Sequence, residues 1–563
     1  MTPNTSRIDR QIPMAFLIAL CVIVGLCGLV GRDLWTPDEP RVAAISLEMG
    51  RSGDFVVPHL AGEPFVEQPP LYYAVAAGAA RLLGGFIGNA GAMRLTSLLW
   101  GLGALMTTYL LGLRLLGKDR ALVAVVLLGT MAGFIENTHW IRVDSALLFF
   151  VTASVWCFGE VFLGGRRWFC LPAGAFAAGA FLTKGAVGPA FVAVAWLGLV
   201  VVWRIHITGK AGAVSAVRPL LVPHVICAAI FILLAGVWVL RFKTAAGPQL
   251  WKEWFWTNHI GRLMGTAPQL GHVKTNHFYY LKTVAVCTLP WLPLIMAWIM
   301  RVALGVRTRR AIEPSDLFLL LWGAGMVTLL SLSATKRDLY LLPVLPAFAL
   351  MYASVLDGGI PRWLKPFFVA WLAICAVIMA VMTSAPLLLH LPGIALPWKA
   401  AAFLGSWSPG HALAAACLVT SVFLMLRRPA FGIDRLVAVT ACAYVAVLSV
   451  GGGAVDAEKG MRREITSFVS QIESSRRERV AGWGLSETAR GCLYFYGDWP
   501  VPQIRDEQRL RDIISRNDKQ FDSVLIEAGT AELPAVAYRV LTKASTGGTG
   551  HKRELIWLEG EER

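Results

Sequence analysis

Long apolar runs separated by short polar stretches dominate the chain up to residue 451 and cease after it. By the criterion of roughly 20 predominantly apolar residues per crossing, about thirteen runs qualify as transmembrane helices. They lie near 13–31, 92–115, 120–136, 142–163, 168–185, 187–204, 219–240, 278–300, 315–333, 338–356, 363–383, 408–426 and 433–451. The first run has too long a core for a cleavable signal, and no small-residue cleavage site precedes "DLWTPDEP". The pattern predicts a polytopic α-helical membrane domain over 1–451, with two long polar loops at 32–91 and 241–277.

After residue 451 the periodicity changes, and 452–563 reads as a small soluble α/β module. "MRREITSFVSQIESS" and "RLRDIISRND" have helical spacing, whereas "FDSVLIEA" and "RELIWLE" read as strands and "GGTGHK" as a loop. The chain shows no internal repeat and no low-complexity tract.

Composition supports this reading. Of 563 residues, 56% are hydrophobic and 16% charged, against about 25% charged in ordinary soluble domains. The formal charge of +16 is dispersed in short clusters between apolar runs, which argues against nucleic acid as a partner. These clusters instead set the orientation. Arg7 and Arg10 precede the first run. Alternate loops then carry Arg114, Lys118 and Arg120; Arg166 and Arg167; Arg204, Lys210 and Arg218; Arg301, Arg307, Arg309 and Arg310; Arg362 and Lys365; and Arg427, Arg428 and Arg435. The facing loop at 384–407 has only Lys399. These cationic loops belong in the cytoplasm, which places both long polar loops and the soluble module outside. Nine of the ten cysteines lie in or beside apolar runs and Cys492 is alone in the tail, so no disulfide framework is expected.

The chemistry gathers at the outer ends of the runs. In "LWTPDEPR", Thr36 is placed to cap a helix, with Pro37 at its first position and Asp38 and Glu39 in its first turn. Val42, Ile45 and Met49 form the apolar stripe of an amphipathic helix lying along the membrane surface. Locally, the two acids can serve as caps or as chemistry. Glu67 returns to a similar depth before Pro69-Pro70, Tyr72 and Tyr73. A charge at the bilayer centre costs roughly 2.5–3.5 kcal/mol, so acids clustered beside lipid call for a reason.

Cations reach the same side. Arg142 and Asp144 start one run, Lys184 sits in a tight turn, His259 and Arg262 lie in the second loop, and Lys336, Arg337, Asp338 and Tyr340 follow "SLSAT". Each cation alone is compatible with snorkelling toward headgroups. Together they suit a lipid-phosphate-linked donor, whose phosphate needs cations as it leaves, while a carboxylate orients or deprotonates the acceptor.

Six stretches occur in the order found in a known family: "LWTPDEPRVAAISLEMGRSGDFVVPHLAGEPFVEQPP", "RVDSALLFF", "FLTKG", "WFWTNHIGRLMG", "LPWLPL" and "SATKRDLYLLPVLPA". On these stretches the chain resembles the aminoarabinose lipid A transferases, relatives of the protein O-mannosyltransferases. The resemblance implies a GT-C glycosyltransferase fold in a bacterial inner membrane, with the active site and soluble domain in the periplasm. It also implies inverting transfer of 4-amino-4-deoxy-L-arabinose from undecaprenyl phosphate to lipid A, the lipopolysaccharide modification behind polymyxin resistance. Carried over by motif, Asp38 is the catalytic carboxylate, with Asp144 a second acid and Glu39 beside it. Arg262, Lys336, Arg337, Tyr340, Lys184 and Gln68 would contact the donor phosphate. Where the family usually has Lys, this chain has Gln68, which brings a hydrogen bond without charge. Glu67 and His259 could share a divalent metal, but two side chains make a weak site, so no cofactor is expected to be essential. The partners implied are the lipid-linked donor, lipid A and membrane lipids, and the protein is expected to be a monomer. Two alternatives stand beside this reading. One is a transferase acting on protein Ser/Thr or another envelope glycan. The other is a lipid-linked-sugar flippase, which would distribute ionisable residues through the spans and show internal repeats.

Overall fold

Every apolar run folds as helix in the computed structural model, which describes residues 12–206, 213–266, 274–308, 312–357, 359–388, 407–426, 432–528, 538–546 and 553–560. Arg7, Arg10, Lys210, Arg309, Arg310, Lys399, Arg427, Arg428 and the "GGTGHK" loop lie outside the described residues.

The span count differs from the expected thirteen. Among the described residues, eight helices are long and apolar enough to cross a membrane. A ninth crossing arises if Lys118–Gly129 and Ala132–His139, bent by 61°, count as one. Met14–Leu26, Leu71–Ile87 and Asp338–Ala353 are shorter apolar helices. Part of the difference comes from short helices such as Met14–Leu26 and Asp338–Ala353, and part from a run that hydropathy joins and backbone chemistry divides. In 278–300, Pro290 and Pro293 separate Tyr279–Cys287 from Leu294–Arg307, since proline supplies no amide to continue the ladder. The loop expected at 32–91 likewise contains a full helix, Leu71–Ile87, as well as the surface helix Asp38–Ser52. The second expected loop, 241–277, begins inside the long helix Ala213–Lys252, which kinks at Gly247 and continues as a π-helix over Glu253–Gly261.

Helix Val143–Phe162 forms the centre of the bundle, with 89% of its apolar window buried. The windows in 362–387 and 409–426 are only 22% and 17% buried. Val369, Val377, Val419 and Leu426 point outward from them, as apolar side chains do where lipid is the solvent.

The soluble module is a five-stranded mixed sheet. Two-residue strands β1 (His59–Leu60) and β2 (Glu63–Pro64) form a separate hairpin in the polar loop. The sheet contains β3 (Val480–Trp483), β4 (Gln503–Ile504), β5 (Ser523–Ala528), β6 (Tyr538–Thr546) and β7 (Arg553–Gly560), in the order β4-β3-β5-β7-β6. β3 runs parallel to β4 and β5, while β7 is antiparallel to β5 and β6. Helices Arg462–Ser470 and Glu507–Ile514 match the helical spacing, and β5 and β7 the two expected strands. Helix Glu487–Gly497, β3, β4 and β6 were not anticipated. All ten cysteines are free.

Candidate active site

The surface helix begins at Asp38 with Pro37 as its N-cap, and Thr36 supplies no side-chain cap. The expected capping box is therefore not formed. Glu39 reaches back to the amide of Trp35 at 2.7 Å, one residue further than a capping box would take it. The predicted stripe of Val42, Ile45 and Met49 is buried. It packs within protein, between helix Leu71–Ile87 and helix Glu487–Gly497 of the soluble module, so the surface helix does not lie bare on lipid.

Successive residues on a helix diverge by about 100°, and the two acids accordingly have different fates. Glu39 is fully buried. It accepts from Arg94 Nε at 2.9 Å, Arg94 Nη2 at 3.0 Å, Arg32 Nη1 at 2.9 Å and the Ile141 amide at 3.0 Å. Burial alone would raise its pKa, but the Arg94 and Arg32 guanidiniums overcome that and hold it down at about 2. Glu39 joins three chain segments into one frame and lines no part of the pocket described next.

Asp38 faces that pocket. One guanidinium nitrogen of Arg337 donates to both its oxygens, at 2.8 and 3.0 Å. Arg142 lies at 3.2 Å and Arg41 at 3.4 Å. Burial pushes the carboxyl upward, but these three guanidiniums prevail and keep it far below the usual carboxylate range.

Other acids and cations come from distant elements. Asp144 lies in the first turn of Val143–Phe162 and Lys184 ends Cys170–Lys184. An acid at a helix start and a cation at a helix end each complement the helix dipole, and here the two side chains pair with each other. Lys184 Nζ also stands 4.5 Å from the centre of the Tyr340 ring. Arg262, following the π-helix, pairs with Glu67, which Arg41 reaches at 3.4 Å. The polar pocket is lined by Asp38, Glu67 and Asp144 and by Arg41, Arg142, Lys184, Arg262 and Arg337, an excess of two positive charges. The Nε–H groups of Arg142 and Arg262 are buried without an acceptor.

A second cavity of about 280 Å³ adjoins it, sharing Glu67, Gln68, Lys184, Arg262 and Tyr340. Its further walls are mostly apolar, including Leu147, Val187, Phe191, Leu329 and Leu330. Through these shared residues the two cavities lie side by side, one charged at Asp38 and the other mostly apolar. His259 lines the apolar part. Its Nδ1 is bonded to the Trp254 carbonyl at 2.7 Å, and its Nε2 abuts Gly185, where φ is +64° and a Cβ would collide with the ring.

Of the residues singled out in the sequence, Asp38, Glu67, Gln68, Asp144, Lys184, Arg262, Arg337 and Tyr340 line the charged pocket. Two of the singled-out residues lie outside both cavities. Glu39 belongs to the frame, as above. Lys336 is 2% exposed and donates to the carbonyls of Ser333 at 2.5 Å and Lys274 at 3.2 Å. Its ammonium is used to close a loop and lines neither cavity. Asp338 accepts from Thr283 at 2.8 Å. Sequence reasoning grouped Arg142 with the outer cations but assigned no role to Arg41, although both reach Asp38. For Arg41 the available signal was its position three residues after Asp38 on one helix face.

Glu67 and His259 do not make a convincing metal site. Glu67 is held between two guanidiniums, and among the described residues no group of three or more His, Cys, Asp or Glu is placed to hold a metal ion. Zinc sites normally use at least three protein ligands.

Residues 14–250 match the family described as dolichyl-phosphate-mannose-protein mannosyltransferase. Three similar proteins are named undecaprenyl phosphate-alpha-4-amino-4-deoxy-L-arabinose arabinosyl transferases. They come from Sodalis glossinidius (27% identical over 70% of this chain and 67% of the relative), Aeromonas hydrophila (30%, over 63% of each) and Pseudomonas fluorescens (27%, over 79% and 75%). The chain thus spans slightly under two thirds of the Aeromonas relative's length. In architecture it is similar to ArnT from Cupriavidus metallidurans bound to undecaprenyl phosphate, with a TM-score of 0.72, 20% identity, and coverage of 96% of this chain and 97% of that one.

Proposed function

We propose that the chain is a membrane glycosyltransferase like the relatives it matches, and that it moves 4-amino-4-deoxy-L-arabinose from undecaprenyl phosphate to a phosphate of lipid A at the periplasmic face of a bacterial inner membrane. The observation that carries this reading is the apposition of an apolar and a cationic cavity that share five lining residues. The apolar end suits an isoprenoid chain, and the cationic end suits the phosphate to which it is attached. The unpartnered Nε–H groups of Arg142 and Arg262 are donors placed for an anion.

Transfer forms a bond from an acceptor oxygen to the anomeric carbon and breaks the bond from that carbon to the donor phosphate oxygen. The phosphate takes the bonding electrons and departs as undecaprenyl phosphate. Arg262, Arg337 and Lys184 stabilise the charge that develops on it. In the free protein, Glu67, Asp38 and Asp144 occupy these cations. Donor binding therefore competes with the carboxylates and loosens their ion pairs.

Asp38 is a weak base while three guanidiniums surround it. A lipid A phosphate is already ionised and needs orientation, whereas a Ser or Thr hydroxyl must lose a proton. This contrast favours the phosphate acceptor over a protein acceptor. Mass spectrometry of lipid A from cells with and without the protein tests the reading. Lipid A carrying aminoarabinose only when the protein is present is expected, and identical lipid A in both samples refutes it.

A further inference from the structure

The soluble module touches the site through helix Glu487–Gly497, whose first turn lies against the start of the surface helix. Thr488 Oγ1 donates to the Pro37 carbonyl at 3.3 Å and Arg490 to the Leu60 carbonyl at 2.6 Å. The Tyr496 hydroxyl accepts from the Leu34 amide at 2.8 Å. At the closest point, Gly491 lies directly over the Pro40–Arg41 peptide. A Cβ there would stand 2.6 Å from the Pro40 oxygen and 2.9 Å from the Arg41 nitrogen. Only glycine permits this approach without moving one helix off the other.

The approach brings Glu487 to Arg41. Glu487 accepts from Arg41 Nη1 at 2.6 Å, closer than either pocket acid, since Asp38 and Glu67 each stand at 3.4 Å. Arg41 is thus suspended among three carboxylates and drawn toward the one outside the pocket. We infer that Glu487 is a positioning residue of the transferase, contributed by the soluble module, which holds Arg41 at the rim of the pocket and keeps it from closing onto Asp38 and Glu67. Without this pull, Arg41 would settle between the two pocket acids. It would then neutralise Asp38 further and narrow the space in which the acceptor meets the donor. The module therefore participates in assembly of the site as well as covering it.

This inference rests on the transferase reading above, and its test separates the two. Transfer from the lipid-linked donor is measured with purified full-length protein for the parent, Glu487→Gln, Glu487→Asp, Arg41→Gln and the Arg41→Gln/Glu487→Gln pair. An inactive parent would refute the transferase reading itself. With an active parent, Glu487→Gln is expected to lower kcat about tenfold, with the donor KM changed less than about twofold, because a catalytic group is misplaced while donor contacts persist. Glu487→Asp should recover part of the loss. In the Arg41→Gln background, Glu487→Gln should add nothing, since its route of action is gone. A parent-like Glu487→Gln enzyme overturns the inference, as does a tenfold loss that persists undiminished in the Arg41→Gln background. Gly491→Ala supplies an independent readout. Displacement of the helix should lower kcat in the same direction, and unchanged kcat would overturn the claim that the close approach sets the site.

Discussion

Arg337 donates through a single guanidinium nitrogen to both carboxylate oxygens of Asp38, at 2.8 and 3.0 Å, across 299 residues of sequence. The pair fixes the surface helix to the segment that follows helix Pro314–Leu332, and it is where the charged end of the cavity closes. Because both residues line the pocket, each substitution has a distinct expected signature. Asp38→Asn should reduce transfer by about 100-fold, because the acceptor loses the group that orients it. It should also bind undecaprenyl phosphate at least as tightly as the parent, since three guanidiniums lose a competing anion. Arg337→Gln should act chiefly on the donor KM. Transfer assays combined with a binding measurement for undecaprenyl phosphate check both.

Glu39, one residue away, should behave differently. Its carboxylate is buried and satisfied by Arg94, Arg32 and two backbone amides. Removing one partner of such a buried network costs about 3–5 kcal/mol. Glu39→Ala should therefore lower thermal stability sharply, whereas Asp38→Asn should be recovered folded. Equal stability of the two variants would contradict this division of roles.

The junction between membrane domain and soluble module should respond to pH. Asp456 accepts from the Trp35 indole at 2.6 Å and from the Asp33 amide at 3.2 Å. Its burial, together with the nearby Asp33 carboxylate, raises its pKa to about 6, and burial raises Asp33 as well. A carboxyl raised in the folded state disfavours folding above its folded pKa, and this penalty fades as pH falls through that value toward the unfolded one. The thermal midpoint should therefore gain from this group as pH drops from about 7.5 to about 5. Asp456→Asn should remove that part of the gain and stabilise the protein at the higher pH. Asp38 and Glu39 have the opposite sign. Their depressed values stabilise the fold above the ordinary carboxylate range, and that contribution is lost only at strongly acidic pH. Thermal melts across the range distinguish the groups.

Gln68 lines both cavities and accepts a long hydrogen bond, 3.4 Å, from Tyr73. Gln68→Lys should retain transfer and lower the donor KM, because an ammonium adds charge-assisted bonding to a phosphate. Loss of transfer in this variant would place the phosphate elsewhere. A chelator should leave transfer unchanged, since Arg262 and Arg41 already hold Glu67.

Among the described residues, hydropathy located every helix that is long and apolar enough to cross a membrane, because burial in lipid demands long apolar runs whatever the tertiary packing. At 120–136 and 278–300 the helix breaks within an apolar run, and hydropathy is blind to the break. The helix Leu71–Ile87 escaped notice because its apolar residues directly follow a polar, proline-rich loop. For the site, the acids were legible because a carboxylate beside lipid is conspicuous. Their partners were less so. Arg94 was not singled out at all, and only the fold reveals that it is fully buried against Glu39. Lys336 and Arg337 are adjacent in sequence, yet one closes a loop through backbone carbonyls and the other enters the pocket, a choice made by the local backbone direction. The contact between Glu487 and Arg41 depends on docking of the soluble module and has no local signature at all.

The most direct measurement is an experimental structure of the protein with undecaprenyl phosphate bound. The account predicts the phosphate in the charged pocket, within about 3 Å of donors on Arg262 and on Arg337 or Lys184, with the isoprenoid chain running past Leu147 and Phe191. A phosphate bound outside that pocket, with Asp38 still locked to Arg337 and the apolar cavity unused, would contradict it.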